Sequence, residues 1–304
     1  MRADRLRLPG AALLAALALG GAAALGGRSL ADRADFAFCN QNEVQSLDPA
    51  VTSGVPEARI LTALYEGLVR SDPATGAPLP GMAERWSVSE DGLSWTFTLR
   101  RDSRWTNGDP VTARDFEYSF RRLVSPEAAA PYADTLWCVR GAREVSAGRA
   151  PREALGVSAT DETTLLIELE QPTPQLPALL ALAPLLPVHR GCIEAWGSRW
   201  VRPEHIVTNG PFRLVERRVR DRLRLVRHEG YWGRAEVALG SIDAYAAEGI
   251  TTQLNMYLTG QVDWMIKPPT SLYGSLLGRP DAIRGPQAGS TFLRFNTTRA
   301  PFAD

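Results

Sequence analysis

Residues 83–116 read AERWSVSEDGLSWTFTLRRDSRWTNGDPVTARDF. Leu93, Trp95, Phe97 and Leu99 alternate with Ser94, Thr96 and Thr98, the period of two that turns one face of a strand to a core and the other to water. Asp91-Gly92 reads as a turn before the strand and Asn107-Gly108-Asp109-Pro110 as a turn after it. Thr112 stands where an N-cap belongs, ahead of a helix whose Phe116, Phe120, Leu123 and Val124 share one stripe. Trp86, Trp95, Phe97 and Trp105 are expected as core or turn anchors, not as ligand contacts.

Upstream, Phe36 to Asn40 predicts a short strand, closed by Ser46-Leu47-Asp48-Pro49. A helix follows with Pro56 in its first turn, Ile60, Leu61, Leu64, Tyr65 and Leu68 on one face, and Gly67 near its end. Glu57 in its first turn is expected to favour the helix dipole. Downstream, residues 125–156 are rich in Ala, Pro and Gly and predict surface loops with a short helix. Strand alternation returns at Leu165, Ile167 and Leu169 and again at Leu223 and Leu225, and a last helix is expected from about 251 to 259, stopping at Gly260. Short strands with intervening helices mean an α/β or α+β architecture.

The 304 residues, 44% apolar and 22% charged, suit a globular protein with material for two cores. The beginning differs in kind: Arg2, Arg5 and Arg7 precede a nearly uncharged stretch from Gly10 to Gly27, and Ser29-Leu30-Ala31 offers small residues for cleavage. Residues 1–31 are read as a secretory signal peptide, which places the mature chain in the periplasm. Without them the chain loses four arginines and one aspartate, leaving 30 basic and 33 acidic side chains. Such a balance gives no reason to expect nucleic acid as a partner.

Other classes are excluded by what is missing. The sole lysine, Lys267, lies between Ile266 and Pro268, so no phosphate-cradling Gly-rich loop ends in Lys-Ser/Thr. The apolar run from Leu176 to Val188 is interrupted by Pro177, Pro184 and Pro187 and cannot be a membrane span. His189, His205 and His228 lack metal-ligand spacing, and no Gly-x-Ser-x-Gly elbow occurs. No enzyme activity, metal or cofactor is expected. Cys39, Cys138 and Cys192 form no close-spaced pair; two could bridge in an oxidising compartment, or all could be buried thiols.

Several ordered segments resemble the oligopeptide-binding proteins of bacterial ABC importers, family 5 of the extracellular solute-binding proteins. They are NEVQSLDP at 42–49, SGVPE at 53–57, LYEGLV at 64–69, the whole of 83–116, LGV at 155–157, TNGPF at 208–212, GYW at 230–232, GQVD at 260–263 and PFAD at 301–304. The resemblance implies a periplasmic-binding-protein-like fold of type II, in which two lobes close over a ligand and a smaller domain is inserted in the first. By that analogy residues 32–65 and 188–304 form the first lobe and 66–187 the inserted domain. The chain is expected to stop before the second lobe.

The resemblance also implies a function. The protein would be a monomeric receptor that captures oligopeptides in extended form by their backbones and delivers them to ABC transporter permease subunits. Ser53, Gly54 and Val55 would pair with the peptide main chain, and Tyr132 would line the ligand cavity; Glu57 could face a basic peptide side chain, although the helix-dipole role is the one expected of it. Family receptors neutralise peptide termini on the second lobe, so weak binding or none by the 304-residue chain is expected. The alternatives are a receptor for dipeptides, nickel complexes or oligosaccharides, a nonfunctional truncated product, or a secreted hydrolase.

Overall fold

The computed structural model describes residues 33–283, 285 and 293–303. The signal-peptide reading of 1–31 and the last residue of PFAD lie outside them. The chain divides into two units, up to Ile266 and from Lys267 onward.

In the first unit the strands are β1 (Phe36–Cys39), β2 (Val69–Ser71), β3 (Pro78–Pro80), β4 (Ala83–Val88), β5 (Ser94–Leu99), β6 (Val157–Ala159), β7 (Thr164–Glu168), β8 (Phe212–Arg218), β9 (Arg222–Arg227) and β10 (Ser241–Tyr245). The helices are α1 (Val55–Leu64), α2 (Ala113–Val124), α3 (Ala142–Ser146), α4 (Leu176–Leu179), α5 (Arg190–Trp196) and α6 (Ile250–Leu258). One sheet has the order β1-β10-β9-β8, a second β4-β5-β7-β6, and β2 pairs with β3 alone. Among the ladders of the described residues β1–β10 is parallel, joining Phe36 to Ile242, and the others are antiparallel; a single parallel bridge also joins Phe38 to Trp264. All strands of the second sheet come from residues 83–168, and those of the first from 36–39 and 212–245. No helix among the described residues is long and apolar enough to cross a membrane.

The alternation in 93–99 does what its period demands. Trp95, Phe97 and Leu99 are buried, and Ser94, Thr96 and Thr98 are only partly covered. The α2 stripe closes over them, with Phe116, Phe120, Leu123 and Val124 all buried in the same core. The Thr112 N–H donates to the Asp115 carboxylate at 2.7 Å and fixes the first turn of α2. This core runs without a break into the first sheet through Leu61 and Leu64 of α1 and Leu214, Leu223 and Leu225. A smaller cluster of Ala37, Cys39, Tyr245, Ala247 and Val262 packs against Met256 and Tyr257 of α6.

Helix α1 ends at Leu64, one turn short of the expected end at Gly67, because Tyr65 is already extended at φ −127°, ψ 154°. The Gly210 N–H takes the Leu64 carbonyl at 2.8 Å. Asn209 then pairs with Glu66 like a strand residue, its Oδ1 accepting the Glu66 N–H at 3.1 Å and its Nδ2 donating to the Glu66 carbonyl at 2.9 Å. A Cβ on Gly210 would lie 2.6 Å from the Leu64 carbonyl carbon, so only glycine permits this approach. Leu68 is buried as expected, but from a bend beyond the end of the helix.

Two buried carboxylates are charge-compensated. Asp243, 1% exposed, receives Nε and Nη2 of Arg224 at 2.8 Å each and Nη1 of Arg222 at 2.9 Å. Glu66 accepts from Tyr231 Oη at 3.0 Å and Trp232 Nε1 at 2.5 Å, with Arg70 at 3.3 Å. The Arg100 guanidinium lies 3.4 Å from the centre of the Trp232 ring. Cys39, Cys138 and Cys192 are free thiols, and burial pushes the Cys39 thiol up to about 11.

In the second unit, a 3-10 turn (Thr270–Leu272) leads into the one-turn helix α7 (Tyr273–Leu276), and the rings of Phe295 and Phe302 lie 4.8 Å apart.

Candidate functional site

The loop from β1 to α1 is held from both sides. Asp48 is buried, and its Oδ1 accepts the Ala50 N–H at 3.1 Å, capping the 3-10 turn Pro49–Val51. Arg122 of α2 grips the same carboxylate with two nitrogens, Nη1 to Oδ1 at 2.8 Å and Nη2 to Oδ2, the fork geometry that suits guanidinium to carboxylate. The Thr52 hydroxyl donates to the Pro49 carbonyl at 3.1 Å.

Out of this anchored turn the backbone runs extended. Thr52 has φ −86°, ψ 147° and Gly54 φ −99°, ψ 152°. Pro56 then sits in the first turn of α1, where its missing N–H costs nothing. Among the described residues no acceptor takes up the N–H of Ser53 or Gly54. Val55 is 67% exposed. Tyr132, 42% exposed, reaches across from the segment after α2, and its hydroxyl donates to the Ser53 carbonyl at 3.3 Å. The four residues singled out in the sequence, Ser53, Gly54, Val55 and Tyr132, therefore meet at one surface.

Beside them lies a cleft of about 250 Å³, lined by Asn42, Gln45, Thr52, Ser53, Gly54 and Glu57 among others. Glu57 stands in the first turn of α1, as expected of an acid favouring the helix dipole, but is only 6% exposed, and its Oε1 accepts the Gln45 N–H at 2.9 Å. A larger hollow of about 560 Å³ at Tyr118, Ser125 and Arg152 contains none of the four residues. Its arginines are already matched, Arg122 to Asp48 and Arg152 to Glu153 at 3.1 Å. The smaller cleft is lined by polar Asn42, Gln45 and Ser46, by the Ser53–Gly54 segment with its unclaimed N–H groups and by exposed Val51, a lining with the means to hold a polar chain.

Sequence reasoning named Glu57 but missed its burial, and it missed Gln45 and the Asp48–Arg122 pair. The pair joins residues 74 positions apart, a separation with no local signal; only the Asp-Pro of SLDP hinted at a cap. The histidines are placed singly. The Nδ1 of His189 accepts the Cys192 N–H at 3.0 Å, leaving Nε2 to face Asp109 at 2.9 Å. His205 stacks on Trp196 with ring centres 3.6 Å apart. His228 is buried against the Gly210 carbonyl.

Residues 77–304 match the family model described as bacterial extracellular solute-binding proteins, family 5 Middle. The chain is 36% identical over 298 residues to the periplasmic oligopeptide-binding protein OppA of Salmonella typhimurium, covering 96% of this chain and 54% of that protein. It is 35% identical to the periplasmic murein peptide-binding protein MppA of Escherichia coli, covering 91% and 52%. Among solved structures, OppA of Burkholderia pseudomallei superimposes with a TM-score of 0.78 at 36% identity, over 82% of this chain and 49% of that one. Haemophilus influenzae OppA in complex with the peptide RPPGFSPFR gives 0.77 at 36% identity, over 81% and 50%. The chain thus spans about half the length of the curated relatives it matches.

Proposed function

The chain belongs to the bacterial extracellular solute-binding proteins of family 5, and on that footing we propose that it is a receptor for oligopeptides, serving an ABC importer in the periplasm. Its fold is the mixed α/β one of type II periplasmic binding proteins. The relatives are periplasmic peptide-binding proteins by name, and one was solved with a peptide bound.

The observation that carries the reading is the extended Ser53-Gly54 backbone with unclaimed N–H groups. A peptide laid against Ser53, Gly54 and Val55 gains main-chain hydrogen bonds of the kind a strand gives its neighbour. Such bonds go to groups that every peptide shares, so one site accepts many sequences. Gly54 removes the side chain that would hold the ligand off, and Tyr132 offers an aromatic face beside the strand with its hydroxyl already oriented. The Asp48–Arg122 pair keeps the loop in place before ligand arrives, which lowers the ordering cost of binding. Delivery to permease subunits and action as a monomer belong to the same proposal.

The test separates backbone capture from side-chain capture. Titrating the chain with a short alanine-rich peptide, observed by amide NMR, is expected to shift the Ser53 and Gly54 resonances. The same peptide N-methylated at alternate residues loses donors and the ability to approach, and is expected to bind at least tenfold more weakly, the loss of about two hydrogen bonds. Equal shifts from both peptides, or shifts confined to other residues, would sink the proposal.

A further inference from the structure

Glu57 is a buried acid with one oxygen left over. Its Oε1 is occupied by the Gln45 N–H, while among the described residues nothing donates to Oε2 and no cationic side chain pairs with it. Taking a carboxylate out of water is costly unless its charge is met. One hydrogen bond and the N-terminal end of α1 meet only part of it.

The neighbouring arginines are committed elsewhere. Arg122 is held by Asp48, Arg59 donates to Asn40 at 2.6 Å and lies over the Phe38 and Trp264 rings, and Arg217 faces Glu43. Glu57 lines the cleft beside Ser53–Val55, and the other charged residue lining it, Glu43, is also an acid. A Cβ on Gly54 would overlap Oε2 of Glu57, so the glycine that opens the backbone also makes room for this carboxylate.

We infer that this cleft is a cation subsite, in which Glu57 receives an ammonium or guanidinium group of a bound peptide. The inference rests on the peptide-receptor reading and deepens it. Backbone pairing at Ser53–Val55 sets the register of the ligand, and the adjoining acid then selects a positive charge at one position of it. The cleft, of about 250 Å³, is wide enough for an unbranched basic side chain, and exposed Val51 and Ser53 stand in its lining.

Four peptides test it, Ala-Lys-Ala and Ala-norleucine-Ala, each with a free and an acetylated amino terminus, titrated into the 304-residue chain and into Glu57→Gln. The amides of Gln45, Ser53 and Gly54 report binding by NMR. The side-chain amide introduced by Glu57→Gln keeps an oxygen for the Gln45 N–H, and a melting curve checks that the variant folds. If a lysine side chain fills the cleft, Ala-Lys-Ala binds about tenfold or more tightly than its norleucine analogue in either terminal form. If the amino terminus fills it, the free forms outbind the acetylated ones by the same factor. In both cases Glu57→Gln abolishes the difference. Should all four bind alike to the wild type while still shifting Ser53 and Gly54, or should the preference survive in a folded Glu57→Gln, the subsite is overturned and backbone capture stands. No shift at these amides with any peptide overturns both.

Discussion

His228 is buried with its Nδ1 3.1 Å from the Gly210 carbonyl. A carbonyl only accepts, so Nδ1 carries the proton of the neutral ring. Burial holds the imidazole below its ordinary value near 6.5. The unfolded chain therefore takes up the proton before the folded one. The contribution of His228 to stability is complete above about pH 6.5 and is lost as the pH falls through the window below it. Glu66 works in the other direction: burial raises its carboxyl, so its contribution declines as the pH rises above the ordinary glutamate range. Between pH 7.5 and 5.5 the wild-type melting temperature is expected to fall more steeply than that of His228→Gln. Parallel curves for the two proteins would refute the assignment.

The elements that follow period alone were legible in sequence. Strand β5, helix α2 and strand β7 carry their apolar residues at two- and 3.6-residue spacing, and each spans the expected residues within one or two positions. Strands β8 and β10 were not legible. Arginines crowd β8, and β10 places Asp243 at a buried position where an apolar residue would be expected, with its charge met from β9. Helix α1 was read one turn too long because Tyr65 and Leu68 continue its stripe while its true end depends on Asn209, 143 residues away from Glu66. In the candidate site, Pro56 announced the start of a helix and Glu57 its acidic first turn, but Ser53–Val55 and Tyr132 were identified by resemblance, and the burial of Glu57 by neither route. Asn209→Ala leaves the Glu66 N–H and carbonyl buried without partners. It is expected to cost about 3 kcal/mol in urea unfolding, the penalty of two unmade backbone hydrogen bonds. A loss under about 1 kcal/mol would mean that this junction yields easily.

Across the molecule, stability follows the ladders. Strands β5 and β7 are each paired on both sides, whereas residues from 267 onward carry only single helical turns among those described. In native-state hydrogen exchange the amides of β5 and β7 are expected to outlast those of Thr270–Leu276 by roughly a hundredfold or more. Comparable rates in the two regions would contradict this ordering. The timing of assembly follows from the parallel edge. Strand β1 finds its partner 206 residues later, so a chain emerging from its N-terminus holds Phe36–Cys39 unpaired until Tyr245 has appeared. By then all four strands of the second sheet have long been available to one another. Strand β1 is thus the last of its sheet to be fastened, and it waits without a partner while more than two hundred later residues are made.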